Sequence, residues 1–301
     1  MKFWVGTTDN AWFKYQSKSG HDEVNFWQPN GAVAYKGLEP GSLFLFKLKK
    51  PHNHIAGGGF FVRSTELPLS VAWDTFGPKN GAASFSSFAN SIRSIAQSEA
   101  KSDPMIGCTV LTMPFFWPEG LWIREPLGWS GNIVRGRYYD STLQDGASLW
   151  AQVQERLGSQ AVFDVSERRF GEPRLVTPRL GQGAFRVLVT DAYSRRCAIT
   201  GESTLPVLDA AHIVPYAEQG PHAVTNGMLL RTDFHKLFDL GLVTVTPDLT
   251  VQISSRIREE WFNGKAYYRL NGSRLASIPK QENQRPSPAF LQWHNEQVFR
   301  P

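Results

Sequence analysis

Leu208 to Gly241 reads LDAAHIVPYAEQGPHAVTNGMLLRTDFHKLFDLG. It holds His212, Asn226 and His235 in that order. LDAAHIVP is a short apolar run that reaches a histidine, which is the pattern of a strand. GPHAVTNG is rich in turn formers and reads as an irregular loop. MLLR reads as a second short strand. TDFHKLFDLG reads as a helix, with Thr232 as its N-cap and Gly241 just past its C-terminus. Packed together, strand, loop, strand and helix set His212 and His235 across one small space.

The order of AAHI, NGMLLR and DFHKLFDLG resembles that of HNH nucleases, which have the ββα-metal fold. The resemblance implies a metal-dependent phosphodiester hydrolase with catalytic residues His212, Asn226 and His235. Hydrolysis needs an activated water, stabilised charge on the phosphate and help for the leaving oxygen. A neutral imidazole is a suitable base for the water, and His212 matches that role. His235 matches the family's metal ligand. Many relatives place an Asp or His directly before the base, where this chain has Ala211. Asp209 lies two residues earlier and shares the strand face of Ala211, so the second ligand is assigned to it. Asn226 is expected to pin the loop and orient the backbone carbonyl that holds His212, rather than touch substrate. Asp233 is either a further ligand or a first-turn charge that complements the helix dipole. His222 is read as an ordinary core or surface histidine. Two protein ligands leave positions open for phosphate and water, which suits one divalent ion, Mg²⁺ first, with Mn²⁺, Ni²⁺ or Co²⁺ as alternatives. Some HNH proteins also bind a structural zinc through two Cys pairs. Here Cys197 stands alone and Thr200 fills the C-x-x-C position, so no structural zinc is expected.

The chain has 301 residues, a size that favours two domains. No apolar run is long enough for a membrane span, and the N-terminus MKFWVGTTDN lacks the apolar core of a signal peptide. Two cysteines, Cys108 and Cys197, suit a reducing setting, so a cytoplasmic location is expected. The net charge of +5 permits nucleic-acid binding without demanding it. There is no basic tail, so any DNA surface must come from folded geometry.

Residues 1–140 read as one β-rich domain. KFWVGTT, LFLFKL, HIAGGGFFVRST and IGCTVLTMPFFW are strand patterns, and SFSSFANSIRSIA is a helix with Phe85, Phe88, Ile92 and Ile95 on one face. The triple glycine suggests a close backbone approach or a bulge. Seven tryptophans fall in this domain, most of them expected in the core. EVNFWQPNG and LSVAWDTFGPKNG mix aromatic rings with amides and read as loops. Such a mixture is what a pocket for an everted base needs, so Phe26, Trp27, Asn30, Trp73 and Asp74 are the candidate pocket. The succession FWVGTTD, EVNFWQP, LEPGSLFLFKL and IAGGGFF looks like bacterial and phage-borne HNH restriction endonucleases. Its element order is also similar to the EVE/PUA-like domains, small barrels that read flipped modified bases.

Residues 141–180 read as a helical, Arg-rich linker, and 181–301 as the nuclease domain with a hairpin and a final helix. Arg124, Arg135, Arg168, Arg169, Arg195 and Arg196 are candidate contacts to the DNA backbone. The expected fold is α+β: a PUA-superfamily-like β-barrel domain joined to a ββα-metal domain. The function implied is a modification-dependent endonuclease that acts on double-stranded DNA, reads 5-methylcytosine or 5-hydroxymethylcytosine, and works as a homodimer at least on DNA. A nicking enzyme that reads ordinary sequence, an RNA-directed defence nuclease and a reader with an inactive HNH fold stay open as alternatives.

Overall fold

A computed structural model describes residues 1–29, 35, 37–96, 102–126, 128–161 and 180–301. The chain divides into two compact units, Met1–Arg179 and Leu180–Pro301. Asn30, Arg168 and Arg169, with residues 162–179 of the expected linker, lie outside the described residues.

In chain order the first unit contains β1 (Lys2–Thr8), α1 (Asn10–Gln16), β2 (Glu23–Gln28), β3 (Leu43–Leu48), β4 (His54–Pro68), α2 (Leu69–Phe76), α3 (Phe85–Ala96), β5 (Met105–Phe116), β6 (Ile123–Arg124), β7 (Gly136–Asp140) and α4 (Gln144–Ala161). The sheet order is β2-β5-β4-β3-β1-β7, with β6 paired to β4. Among the described residues of this unit only β1 and β3 run parallel; the other ladders are antiparallel. All six residues of β3 are buried, because the sheet is covered on both sides. Phe44, Phe46 and Leu48 meet Trp12, Phe13 and Phe26 in one cluster. Leu43 and Leu45 meet Phe3, Val5 and Trp117 in another. Leu149 and Val153 of α4 belong to that second cluster, so the helix expected in the linker packs on the first unit. Lys47 shares the second face and is buried, offset by Glu125 at 2.8 Å and Asn53 at 3.2 Å. The triple glycine makes the close approach its composition suggests: a Cβ on Gly57 would lie 2.3 Å from the Phe115 carbonyl, and the ladder shifts register after Gly58.

Three local expectations are corrected. EVNFWQ is strand β2, with Glu23 and Asn25 fully buried; it pairs with β5, so tertiary pairing overrides its polar composition. LSVAWDTF is helix α2, whose Leu69, Val71, Ala72 and Phe76 face the core. On α3 only the middle of the expected apolar stripe is covered: Phe88 and Ile92 are buried, but Phe85 and Ile95 are exposed.

The second unit contains α5 (Gln182–Ala192), β8 (Leu208–His212), β9 (Gly227–Arg231), α6 (Thr232–Asp239), β10 (Val243–Val245), β11 (Val251–Ile253), α7 (Arg256–Trp261), α8 (Lys265–Tyr268) and α9 (Pro288–Gln297). β8 and β9 pair antiparallel, with His212 opposite Gly227. One core joins Phe185, Val189 and Tyr193 of α5 to Leu229, Phe234, Phe238, Val243 and Leu291. Thr232 is the first residue of α6 rather than its cap, because Arg231 occupies the cap position without a side-chain bond. Gly241 ends α6 with φ +69°, and Leu242 N–H returns to the Leu237 carbonyl at 2.8 Å. Its own carbonyl accepts from Arg300 N–H at 2.9 Å, tying the C-terminal segment to the helix end.

A Cβ on Gly241 would stand 2.0 Å from the Val298 carbonyl, in a left-handed backbone. Gly241→Ala is expected to cost about 2–4 kcal/mol in urea denaturation of the full chain. A change within about 0.5 kcal/mol, the range of an ordinary surface substitution, would contradict this packing.

Candidate active site

His212 closes β8 and is followed at once by a loop that one side chain holds in place. Asn226 is fully buried. Its Oδ1 accepts from Val214 N–H at 2.9 Å, and its Nδ2 donates to the Val214 carbonyl at 2.9 Å and the Pro221 carbonyl at 3.0 Å. The Asn226 carbonyl also accepts from Ile213 N–H at 2.9 Å. Both ends of the loop are thus clamped next to His212.

Because α6 follows β9 without a linker, His235 comes back to β8. Its Nδ1 lies 3.6 Å from Asp209 Oδ2, and its Nε2 lies 3.4 Å from Asp239 Oδ2. The other Asp209 oxygen meets Arg186 Nη2 of α5 at 3.4 Å. Burial pushes the His235 pKa down, but contact with Asp209 and the charges of Asp239 and Asp209 outweigh it and raise it. Contact with His235 holds Asp209 below the usual carboxylate range, with help from Arg186 against burial. Burial lifts Asp239 above that range, opposed by His235 and Lys236. The contact therefore favours the ionised carboxylate and the protonated imidazole over their neutral forms. A carboxylate beside an imidazole is also a donor set suited to a divalent cation with open positions.

His212 differs. Its ring lies 3.9 Å from that of Phe185, nearly parallel at 10°, and its Nε2 is 3.0 Å from His222 Nδ1. Burial pushes its pKa down to about 4, and the neighbouring His222 and His235 act the same way. His212 is thus neutral at physiological pH. His212, Tyr216, His235, Asp239 and His294 line a cleft of about 280 Å³. Asp233 is engaged by Arg231 at 2.7 and 2.8 Å, which gives it a guanidinium partner in the first turn of α6. Cys197 is buried, and its Sγ accepts from Thr200 N–H at 3.4 Å and Arg231 N–H at 3.3 Å.

The first unit has a cavity of its own, also about 280 Å³. Phe26 and Trp27 line it with Trp12, Gln28, Lys49 and Arg135. Trp73 and Asp74 are not brought to it: α2 turns Trp73 toward Phe85 and Phe88 of α3, with ring centroids 6.3 and 6.0 Å away. Trp27 meets Phe88 edge-on at 5.7 Å and donates to the Asn80 carbonyl at 2.9 Å. Arg135, expected along DNA, stands in this cavity wall, and Arg124 is exposed on β6. In the second unit Arg195 is half-buried with φ +59°, and Arg196 is exposed.

The family model for HNH endonucleases matches residues 197–246, a span that covers β8, β9, α6 and β10. Residues 197–246 are an HNH endonuclease domain. A search of curated proteins found no match. Among solved structures, the ASCH protein of Zymomonas mobilis is similar over 52% of this chain and 94% of its own, at 8% identity and a TM-score of 0.32. The modification-dependent TagI restriction endonuclease is similar over 97% of this chain and 81% of its own, at 12% identity and a TM-score of 0.30.

In the HNH domain three neighbours of the expected residues escaped the sequence reading. Asp239 had a signal, since it lies four residues after His235 on the same helix face. Arg186 had none, being 23 residues from Asp209. His222 was visible only as one more histidine in a loop.

His294 borders the cleft and is nearly fully buried. Its Nε2 faces the Phe238 carbonyl at 3.1 Å, which only accepts, so Nε2 carries the proton and Nδ1 accepts from Thr244 Oγ1 at 2.8 Å. Burial lowers its pKa to about 4, against an unfolded value near 6.5. The unfolded chain therefore binds the extra proton first, and stability falls as pH drops from about 6.5 toward 4. The share of this group is roughly 3 kcal/mol. In urea titrations across that window, His294→Gln is expected to be less stable at neutral pH and to lose less on acidification. Parallel wild-type and variant curves would refute the assignment.

Proposed function

We propose that the chain is a modification-dependent restriction endonuclease. Residues 1–140 read a modified base, 5-methylcytosine or 5-hydroxymethylcytosine, flipped from double-stranded DNA. The HNH domain, within 181–301, hydrolyses the phosphodiester at a single-metal site, and 141–180 connect the two. The observation that carries the hydrolytic reading is a neutral imidazole, His212, in one cleft with His235, which faces Asp209 at 3.6 Å across β8 and α6. Asp209 and His235 would hold the cation, Mg²⁺ or a similar divalent ion. When bound, such an ion supplies charge stabilisation on the phosphate. His212 takes a proton from the attacking water. Asn226 keeps the loop around His212 closed and touches no substrate. Arg195 and Arg196 are proposed phosphate contacts at the entry to this domain, and Arg124 in the first unit.

The reading of a flipped base is supported by the cavity beneath Phe26 and Trp27. Its rings offer stacking faces, Gln28 offers an amide for a base edge, and Lys49 and Arg135 offer cations to a phosphate. Stacking worth roughly 1–3 kcal/mol per base is comparable to the cost of extrusion. A homodimer on DNA follows from one active site per chain, since each site cuts one strand. A cytoplasmic location is proposed from two buried free cysteines, and no helix among the described residues is long and apolar enough to cross a membrane.

The test uses the full chain, a divalent metal, and plasmids with unmodified, methylated or hydroxymethylated cytosine. A modified plasmid is expected to be cut at least about tenfold faster than the unmodified one, the rate ratio given by ~1.4 kcal/mol of pocket discrimination. Equal cutting of all three favours a nuclease that reads ordinary sequence. His212→Ala is expected to slow cleavage by on the order of 10²–10⁴, with DNA binding retained. Wild-type cutting by this variant removes His212 as the base. Trp27→Ala is expected to shrink the preference for modified DNA while leaving the cleft of the HNH domain untouched; an unchanged preference means that the base is read elsewhere.

A further inference from the structure

We propose that His222 is a positioning residue of the hydrolytic centre: its Nδ1 accepts the Nε2 proton of His212 and so keeps the His212 Nδ1 lone pair free for water. This inference rests on His212 being the base. A neutral imidazole has one proton and one lone pair. The His212 nitrogen that faces His222 is Nε2, 3.0 Å from His222 Nδ1, so the nitrogen left for water is Nδ1. Two arrangements fit that bond. If His222 donates through Nδ1–H, then His212 accepts at Nε2, its proton sits on Nδ1 and it has no lone pair for water. If His212 donates from Nε2, the Nδ1 lone pair is free and His222 carries its own proton on Nε2. Only the second arrangement makes a base.

The geometry holds both rings in register. Phe185 stacks on His212, with centroids 3.9 Å apart at 10°, and Tyr216 stacks on His222, with centroids 4.7 Å apart at 15°. The Phe185 ring also reaches His222 at 5.8 Å, so it supports both members of the pair. Pro221, directly before His222, is tied to Asn226 Nδ2 at 3.0 Å, which fixes where His222 leaves the backbone. When water gives up its proton, an O–H bond breaks and an N–H bond forms at His212 Nδ1. His212 becomes an imidazolium, and its Nε2–H bond to His222 becomes charge-assisted, hence shorter and stronger. His222 acts on the charged state that forms during reaction, as the carboxylate of a hydrolase triad does.

Two full-length variants separate an acceptor from a packing role. His222→Phe keeps a ring against Tyr216 and Phe185 but has no acceptor. His222→Asn places Oδ1 where Nδ1 was and loses the ring. Single-turnover cleavage is read with DNA affinity, and long-range ¹H–¹⁵N spectra of histidine-labelled protein read the His212 tautomer. His222→Phe is expected to cleave about 10–100-fold slower at unchanged DNA affinity, with His212 no longer held in one tautomer. His222→Asn is expected within about fivefold of wild type, less than the ~1 kcal/mol of one hydrogen bond, with His212 protonated at Nε2 as in wild type. Three results overturn the proposal: wild-type cleavage by His222→Phe, equal loss in both variants, or wild-type His212 protonated at Nδ1. The spectra decide the pairing even where no cleavage is seen. Failure of the base assignment itself is recognised separately, by full activity of His212→Ala.

Discussion

The clamp made by Asn226 is the constraint on which this active site depends. A loop that leaves a strand and turns inward must bury backbone groups without a ladder to satisfy them. Asn226 supplies both missing partners to Val214 and one to Pro221, with its own carboxamide fully buried. A buried polar group left unmatched costs about 1–3 kcal/mol, so the loop has one conformation in which all are matched. That conformation carries Tyr216 and His222 to His212. The Asn226 hydrogen bonds fix where the loop that carries Tyr216 and His222 stands.

His212 and His235 stand in opposite electrostatic surroundings. His212 and His235 are both partly buried imidazoles, yet their pKa values move in opposite directions. His212 has ring and histidine neighbours, so desolvation wins and the ring stays neutral. His235 stands between two carboxylates, whose field overcomes desolvation. One ring thus stays neutral and the other stands in the field of two carboxylates. Environments that push two titratable groups apart in this way assign roles as firmly as residue type does.

The first unit solves a different problem. Its sheet is covered on both faces, so nearly every side chain of β3 has to be apolar or paired, and Lys47 is tolerated because Glu125 and Asn53 reach it. Its cavity lies beneath Trp27 on the edge strand β2, with Gln28, Lys49 and Arg135 around it. Aromatic residues serve here both as core and as cavity wall, which is why composition alone could not separate the two.

The strand–loop–strand–helix order of 208–241, the alternation along β3 and the glycine turn after α6 were legible in the sequence, because each rests on short-range chemistry. Alternation, helical spacing and a residue that tolerates positive φ are local signals. The same locality misread EVNFWQ and LSVAWDTF, whose polar composition suggests loops while long-range pairing and core contact make them strand and helix. It also gathered Trp73 and Asp74 with Trp27 by likeness of sequence, although α2 packs Trp73 against α3. The order His212, Asn226, His235 was legible in the sequence, and the fold brings His212 and His235 to one cleft. That His212 pairs with His222, that Arg186 steadies Asp209, and that Asp239 faces His235 were decided only by the tertiary structure. A side chain's partner across a cleft depends on how whole elements pack, and no spacing along one strand or helix carries that information.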